Sequence, residues 1–124
     1  MKRLIFILLM VTLWSSCQKM DDNGDLGGFW KLLQIEELES DSIIDKRDED
    51  RFWAVQLDLI QIGNGKGRFQ HIDDSLYVQM IKKTSYSKEY GLYNQEDARY
   101  SVEHLSNRKM ILRCNEAILQ FRKF

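Results

Sequence analysis

Three segments between Arg99 and Phe124 alternate between apolar and polar residues, and two-residue turn signals separate them. In 99–105, Tyr100, Val102 and His104 share a face. In 109–114, Met110, Leu112 and Cys114 do the same, and 117–124 follows. Ser106-Asn107 and Asn115-Glu116 lie between them. Period-two alternation marks a strand with one buried and one wet face. Turns this short join only antiparallel neighbours. The C-terminal part of the chain is therefore restricted to a meander.

The same pattern runs upstream. A first strand is expected at 29–37. Residues 51–62 read as one strand, with Trp53, Val55, Leu57 and Leu59 on one face and Ala54, Gln56 and Asp58 on the other. Gly63-Asn64-Gly65-Lys66-Gly67 reads as a hairpin loop, 68–72 as a strand and Asp73-Asp74 as a tight turn. Leu76, Val78 and Met80 align in a strand at 76–81. Residues 84–97 admit a strand around 89–93 or a helical turn at 95–98. The charged segment 39–50, around Ile43-Ile44, is expected to be a lid or short helix at one mouth. The expectation is an all-β fold of about eight antiparallel strands in sequence order. A closed up-and-down barrel removes its exposed edges. Eight strands leave an interior that side chains fill, or one that holds one small ligand.

The N-terminus has a different character. Met1, Lys2 and Arg3 make a positive start, and 4–14 is apolar except for Thr12. A spanning helix needs roughly 20 apolar residues. The run is about half that, so it reads as the core of a signal peptide. Leu13-Trp14-Ser15-Ser16-Cys17 resembles the lipobox of bacterial lipoproteins, with Trp14 where an aliphatic residue is usual. That resemblance implies cleavage before Cys17 and a diacylglycerol thioether on its sulfur. Two acyl chains at one site suffice for stable anchoring. The other reading is an ordinary secretory signal whose Cys17 pairs with Cys114. Gln18-Lys19-Met20-Asp21-Asp22 resembles the charged export signal of lipoproteins in Bacteroides-type bacteria. It implies an outer-membrane, lipid-anchored protein at the cell surface, or otherwise on the periplasmic face. The expected organisation is a signal peptide at 1–16, a flexible acidic tether at 17–27 and one barrel domain at 28–124.

Removing 1–16 leaves 108 of the 124 residues, enough for a single core. Lys2 and Arg3 leave with the signal, which takes the formal charge from −1 to −3. That mild balance gives no footprint for nucleic acid. Asp21, Asn23 and Asp25 open like a calcium loop, but Leu26 and Leu32 occupy the turn-glycine and final-glutamate positions. The glycines at 63–67 lack the spacing of a phosphate loop. His71 and His104 are far apart, and no serine sits in a nucleophile elbow. Asp45, Asp48, Glu49 and Asp50 read as a solvated face, and Cys114 as a small core residue. No catalytic set, metal site or cofactor is expected, and hence no enzyme.

Gly27-Gly28-Phe29-Trp30-Lys31-Leu32 opens the first strand. Gly28-x-Trp30 resembles the first-strand signature of the lipocalins and the wider calycin group. The resemblance implies that Trp30 plugs the barrel base against a basic residue near the end of the last strand. In Ile118-Leu119-Gln120-Phe121-Arg122-Lys123-Phe124 that residue is expected to be Arg122. The mature chain is also similar to small lipocalin-like lipoproteins of Bacteroides-type bacteria. Two functions follow as expectations for a membrane-anchored monomer. One is binding of a small apolar or amphipathic ligand inside the barrel, lined by Trp53, Tyr77 and Tyr100, with Tyr90 and Tyr93 as further aromatics. The other is a filled barrel that binds a protein or glycan through its loops.

Overall fold

A computed structural model describes residues 24–124. The assigned signal peptide, Cys17 and the tether up to residue 23 lie outside the described residues.

Nine strands follow in chain order: β1 (Gly28–Glu37), β2 (Ser42–Asp45), β3 (Phe52–Gln56), β4 (Leu59–Ile62), β5 (Gly65–Ile72), β6 (Ser75–Lys82), β7 (Ala98–Leu105), β8 (Lys109–Arg113) and β9 (Ala117–Lys123). Eight of them form a closed antiparallel up-and-down barrel, in the order β1-β3-β4-β5-β6-β7-β8-β9, sealed by pairing of β9 with β1. β2 is extra. It pairs with the far half of β1, where Ile44 faces Ile35.

The expected strand at 51–62 is in fact a hairpin. Leu57 takes φ 55° and, with Asp58, reverses the chain. Trp53 then pairs with Ile62 and Val55 with Ile60. Inward parity switches from odd to even numbers at that turn, so Leu57 and Leu59 are exposed while Ile60 and Ile62 are buried. Residues 84–97 form neither expected element. They hold a short 3-10 helix, Ser87–Tyr90, inside a long loop. The count of eight is thus reached by splitting one expected strand and losing another.

The loop between β4 and β5 is also tighter than the five-residue reading. Gly63-Asn64 makes the turn, and Gly65 and Gly67 already belong to β5. A Cβ on Gly67 would lie 2.4 Å from the Gln79 carbonyl oxygen. Glycine there lets β5 and β6 close up at the bulge between Lys66 and Gly67.

Inward residues of successive strands stack in rows. Ile62, Trp53, Trp30 and Lys123 make one row. Leu32, Phe121 and Met110 make the next. All of these apolar side chains are fully buried in one continuous core. Gly24–Leu26 and the turns after β3, β5 and β7 gather at one end, the tether end. The turns after β4 and β8 and the loop 83–97 gather at the other.

Candidate functional site

A barrel of this kind can act through its interior, its two mouths or its outer wall. At the tether end, Gly24–Leu26 forms a 3-10 turn and buries Leu26. This residue belongs to the fold although the sequence assigns it to the tether. The Trp30 indole donates to the Leu26 carbonyl at 2.8 Å. The Lys123 ammonium stands 4.6 Å from the Trp30 ring centroid and donates to the Asp25 carbonyl at 2.7 Å. The expected partner, Arg122, is not there. Trp30 pairs with Lys123, and directly opposed residues share a face, so Arg122 points outward beside Lys31. Gly28 has φ 118°, a region that favours glycine, and a Cβ there would lie 3.4 Å from the Lys123 side chain.

The other mouth is closed by residues 83–97, not by 39–50. Ser42–Asp45 is a strand on β1, with Ile43 exposed. From the loop, Tyr90 offers its carbonyl to the Trp53 indole at 2.8 Å. Gly91 offers its carbonyl to the Tyr100 hydroxyl at 2.8 Å, and Leu92 is fully buried. Gly91 (φ 81°) packs so closely on Leu119 that a Cβ would come within 2.7 Å of it. The loop therefore bridges β3, β7 and β9 across the opening. Arg51 clamps it from outside. Its guanidinium lies 5.0 Å from the Tyr90 ring centroid and pairs with Glu89 and Glu49. Lys46, 3.0 Å from Glu49, hydrogen-bonds that carboxylate and holds it below its ordinary range, helped by the charges of Lys46 and Arg51. The sequence signal for the plug was Tyr90-Gly91-Leu92-Tyr93, an apolar island in a polar segment that needs burial.

Between the two mouths the interior is occupied by buried side chains. Trp53 lies 4.9 Å from Phe121 and 5.7 Å from Tyr100, centroid to centroid, in tilted and edge-on contacts. The lipocalin-like domain model matches residues 9–124.

The chain belongs to the lipocalin-like family.

Two solved structures share its fold. A lipocalin-like protein from Bacteroides uniformis has a TM-score of 0.66 and 19% identity, over 82% of this chain and 100% of that one. An uncharacterized protein from Bacteroides eggerthii has a TM-score of 0.63 and 17% identity, over 79% of this chain and 98% of that one. No curated protein matches the sequence.

Within this lipocalin-like barrel the three expected lining residues do not converge. Trp53 and Tyr100 pack on each other, with their polar atoms satisfied by the plug. Tyr77 is on the outer wall, 5.9 Å from the Arg99 guanidinium, which is itself paired with Asp97. There it lines an open groove of about 520 Å³ with Asp58, Arg68, Gln70, Gln79 and Glu96. Both histidines are exposed strand residues. Cys114 is half-buried at the loop end, where burial pushes its thiol up.

Burial also pushes the Tyr100 phenol well above 10. The unfolded chain ionises this group first, so its contribution is complete below about pH 10 and is lost as pH rises beyond. Denaturant midpoints should fall steeply above that pH, and Tyr100→Phe should flatten the alkaline limb. At neutral pH the same change should cost about 1–3 kcal/mol, because the buried Gly91 carbonyl loses its donor. An alkaline limb unchanged in Tyr100→Phe would assign the effect to other groups.

Proposed function

We propose that this lipocalin-like protein is a non-enzymatic binding module, anchored in the outer membrane through acylated Cys17 and facing the cell surface, that meets its partner on its outer wall. The observation that carries this reading is the filled interior. Trp53, Tyr100 and Phe121 occupy the volume that a ligand would need, and Trp30 and residues 83–97 close the two mouths. The groove at Tyr77 has the chemistry of a polar ligand site, with one aromatic face among amides, an arginine and carboxylates. A glycan or a polar protein segment suits it.

One observation favours the other expected function, an apolar ligand inside. The middle of the plug is held at Tyr90 and Gly91 by the Trp53 and Tyr100 hydrogen bonds and its ends at Ser85 and Gln95 by Asn64 and Met80, while Arg51, which clamps Tyr90, has a buried Nε without a partner. Movement of that loop would open the interior at Trp53. Native mass spectrometry on protein purified from its own source separates the two. The expected mass is the processed chain plus its acyl groups and nothing more. A co-purifying apolar molecule would return the function to the interior, and an unmodified Cys17 would remove the anchor. On a glycan array, Tyr77→Ala should abolish whatever binding the native chain shows; unchanged binding would exclude the groove.

A further inference from the structure

The wall opposite the Tyr77 groove carries an arrangement that does nothing for the barrel itself. Across successive ladders Lys109 faces Arg122, Arg122 faces Lys31, and Lys31 faces Phe52. Directly opposed residues share a face, so three cations stand side by side on the outside of β8, β9 and β1. Like charges in that position destabilise a sheet. The ion pairs of the described residues are made by other cations, Lys46, Arg51, Lys83 and Arg99.

Toward the tether end the same wall becomes apolar. Phe29 is 60% exposed and Phe124 81%. Phe124 packs edge-on against Phe52 at 5.3 Å, and its N–H donates to the Phe29 carbonyl at 2.9 Å. Leu57, 62% exposed on the turn after β3, shares with Phe29 a groove of about 540 Å³ that Gly24 and Ala54 also line. No carboxylate stands in the row. Asp50 lines an outer groove with Phe29 and Phe52, and Asp45 faces Gln34 from β2 at the far side of the wall, while Glu36, Glu37, Glu39, Asp41 and Glu116 gather at the loop end.

A soluble polyanion would use the cations and leave the phenylalanines in water. An apolar peptide would cover the rings and leave three charges uncompensated. An anionic bilayer accommodates both, with rings at the headgroup–acyl boundary and cations on the phosphates. We propose that this wall docks on the surface of an anionic phospholipid bilayer, which lays the barrel on its side. β5 and β6 lie diametrically across the barrel, so the Tyr77 groove then faces away from the membrane. The proposal goes beyond the acyl anchor and does not require it.

The test uses the full chain carrying Cys17→Ala, so that no arm is acylated. Sedimentation is compared on vesicles of phosphatidylcholine and of an equal mixture with phosphatidylglycerol. The apolar run at 4–14 and its two leading cations contribute equally in every variant, so the wall is read from the differences. Lys31→Gln, Lys109→Gln and Arg122→Gln together should lower the preference for anionic vesicles roughly 100-fold, at about fivefold per charge. The equally charged triple Lys66→Gln, Lys82→Gln and Lys83→Gln, on the opposite side, should leave it nearly unchanged. Phe29→Ser with Phe124→Ser should weaken vesicle binding without altering retention on heparin. All of these positions are on the outside of the barrel, and melting curves verify folding. Equal losses from both triples, or no preference for anionic vesicles in the parent, would overturn the proposal. Phenylalanine variants that bind vesicles as well as the parent would assign the cations to a soluble polyanion instead. Failure of acylation in the native protein would leave this result untouched, so the two ideas fail separately.

Discussion

Trp53→Ala should lower the stability of the barrel by about 3–5 kcal/mol, as expected for an aromatic truncated in a packed core. The indole is fully buried, contacts Phe121 and Tyr100, and satisfies the Tyr90 carbonyl. Removing it leaves a cavity and an unpaired acceptor on the segment that closes the mouth. Residues 83–97 should therefore become sensitive to protease well below the denaturation midpoint. Trp53→Phe should recover much of the packing but not the hydrogen bond, leaving a deficit of about 1–3 kcal/mol. Urea unfolding followed by far-ultraviolet circular dichroism measures both. A loss below about 1 kcal/mol for Trp53→Ala would mean that the interior tolerates empty space. That outcome would support a ligand there after all.

Trp30→Ala should be similarly severe, about 3–5 kcal/mol, because it removes the plug of the tether end. Lys123→Ala should cost less, about 0.5–2 kcal/mol, the range of one cation over one indole. The double variant should lose less than the sum, since the two changes remove one shared contact. Arg122→Ala should stay within about 0.5 kcal/mol, because its side chain is exposed on the outer wall. Coupling of Trp30 to Arg122 larger than to Lys123 would place the cap on the wrong face of β9. Chemical denaturation of the parent, the three single variants and the two double variants with Trp30→Ala, in a single buffer, gives both cycles.

These two aromatics also show how much of the protein was readable in its residues. Trp30 was legible as a closing residue because Gly28-x-Trp30 is a local motif. Its cation was misread by one position, because strand numbering does not reveal which of two adjacent side chains faces inward. That choice is made by the register between β1 and β9, elements separated by most of the chain. Trp53 was legible as inward-facing by alternation, but Leu57 and Leu59, which the same alternation put on its face, are exposed. A turn at Leu57-Asp58, in a run with no glycine and no proline, gives no local warning that parity will change. The plug at 83–97 was missed for a related reason. Tyr90, Gly91 and Leu92 have no strand period, and their burial comes from Trp53, Tyr100 and Leu119, which are remote in sequence.

Alternation and short turns by themselves determined that this chain is an all-β meander whose ends must pair; the resemblance of Gly28-x-Trp30 to the lipocalin signature, not the period, put Trp30 where they meet. The meander and the pairing of its ends are consequences of local geometry: a period of two, turns too short for a crossover, and edges that must be covered. Whether the barrel is hollow or filled, which cation caps it, which loop closes it, and that Lys31, Arg122 and Lys109 form one row beside Phe52 were decided only by the tertiary structure. Each depends on the stagger between strands, and stagger is set by the simultaneous packing of all eight against a shared core.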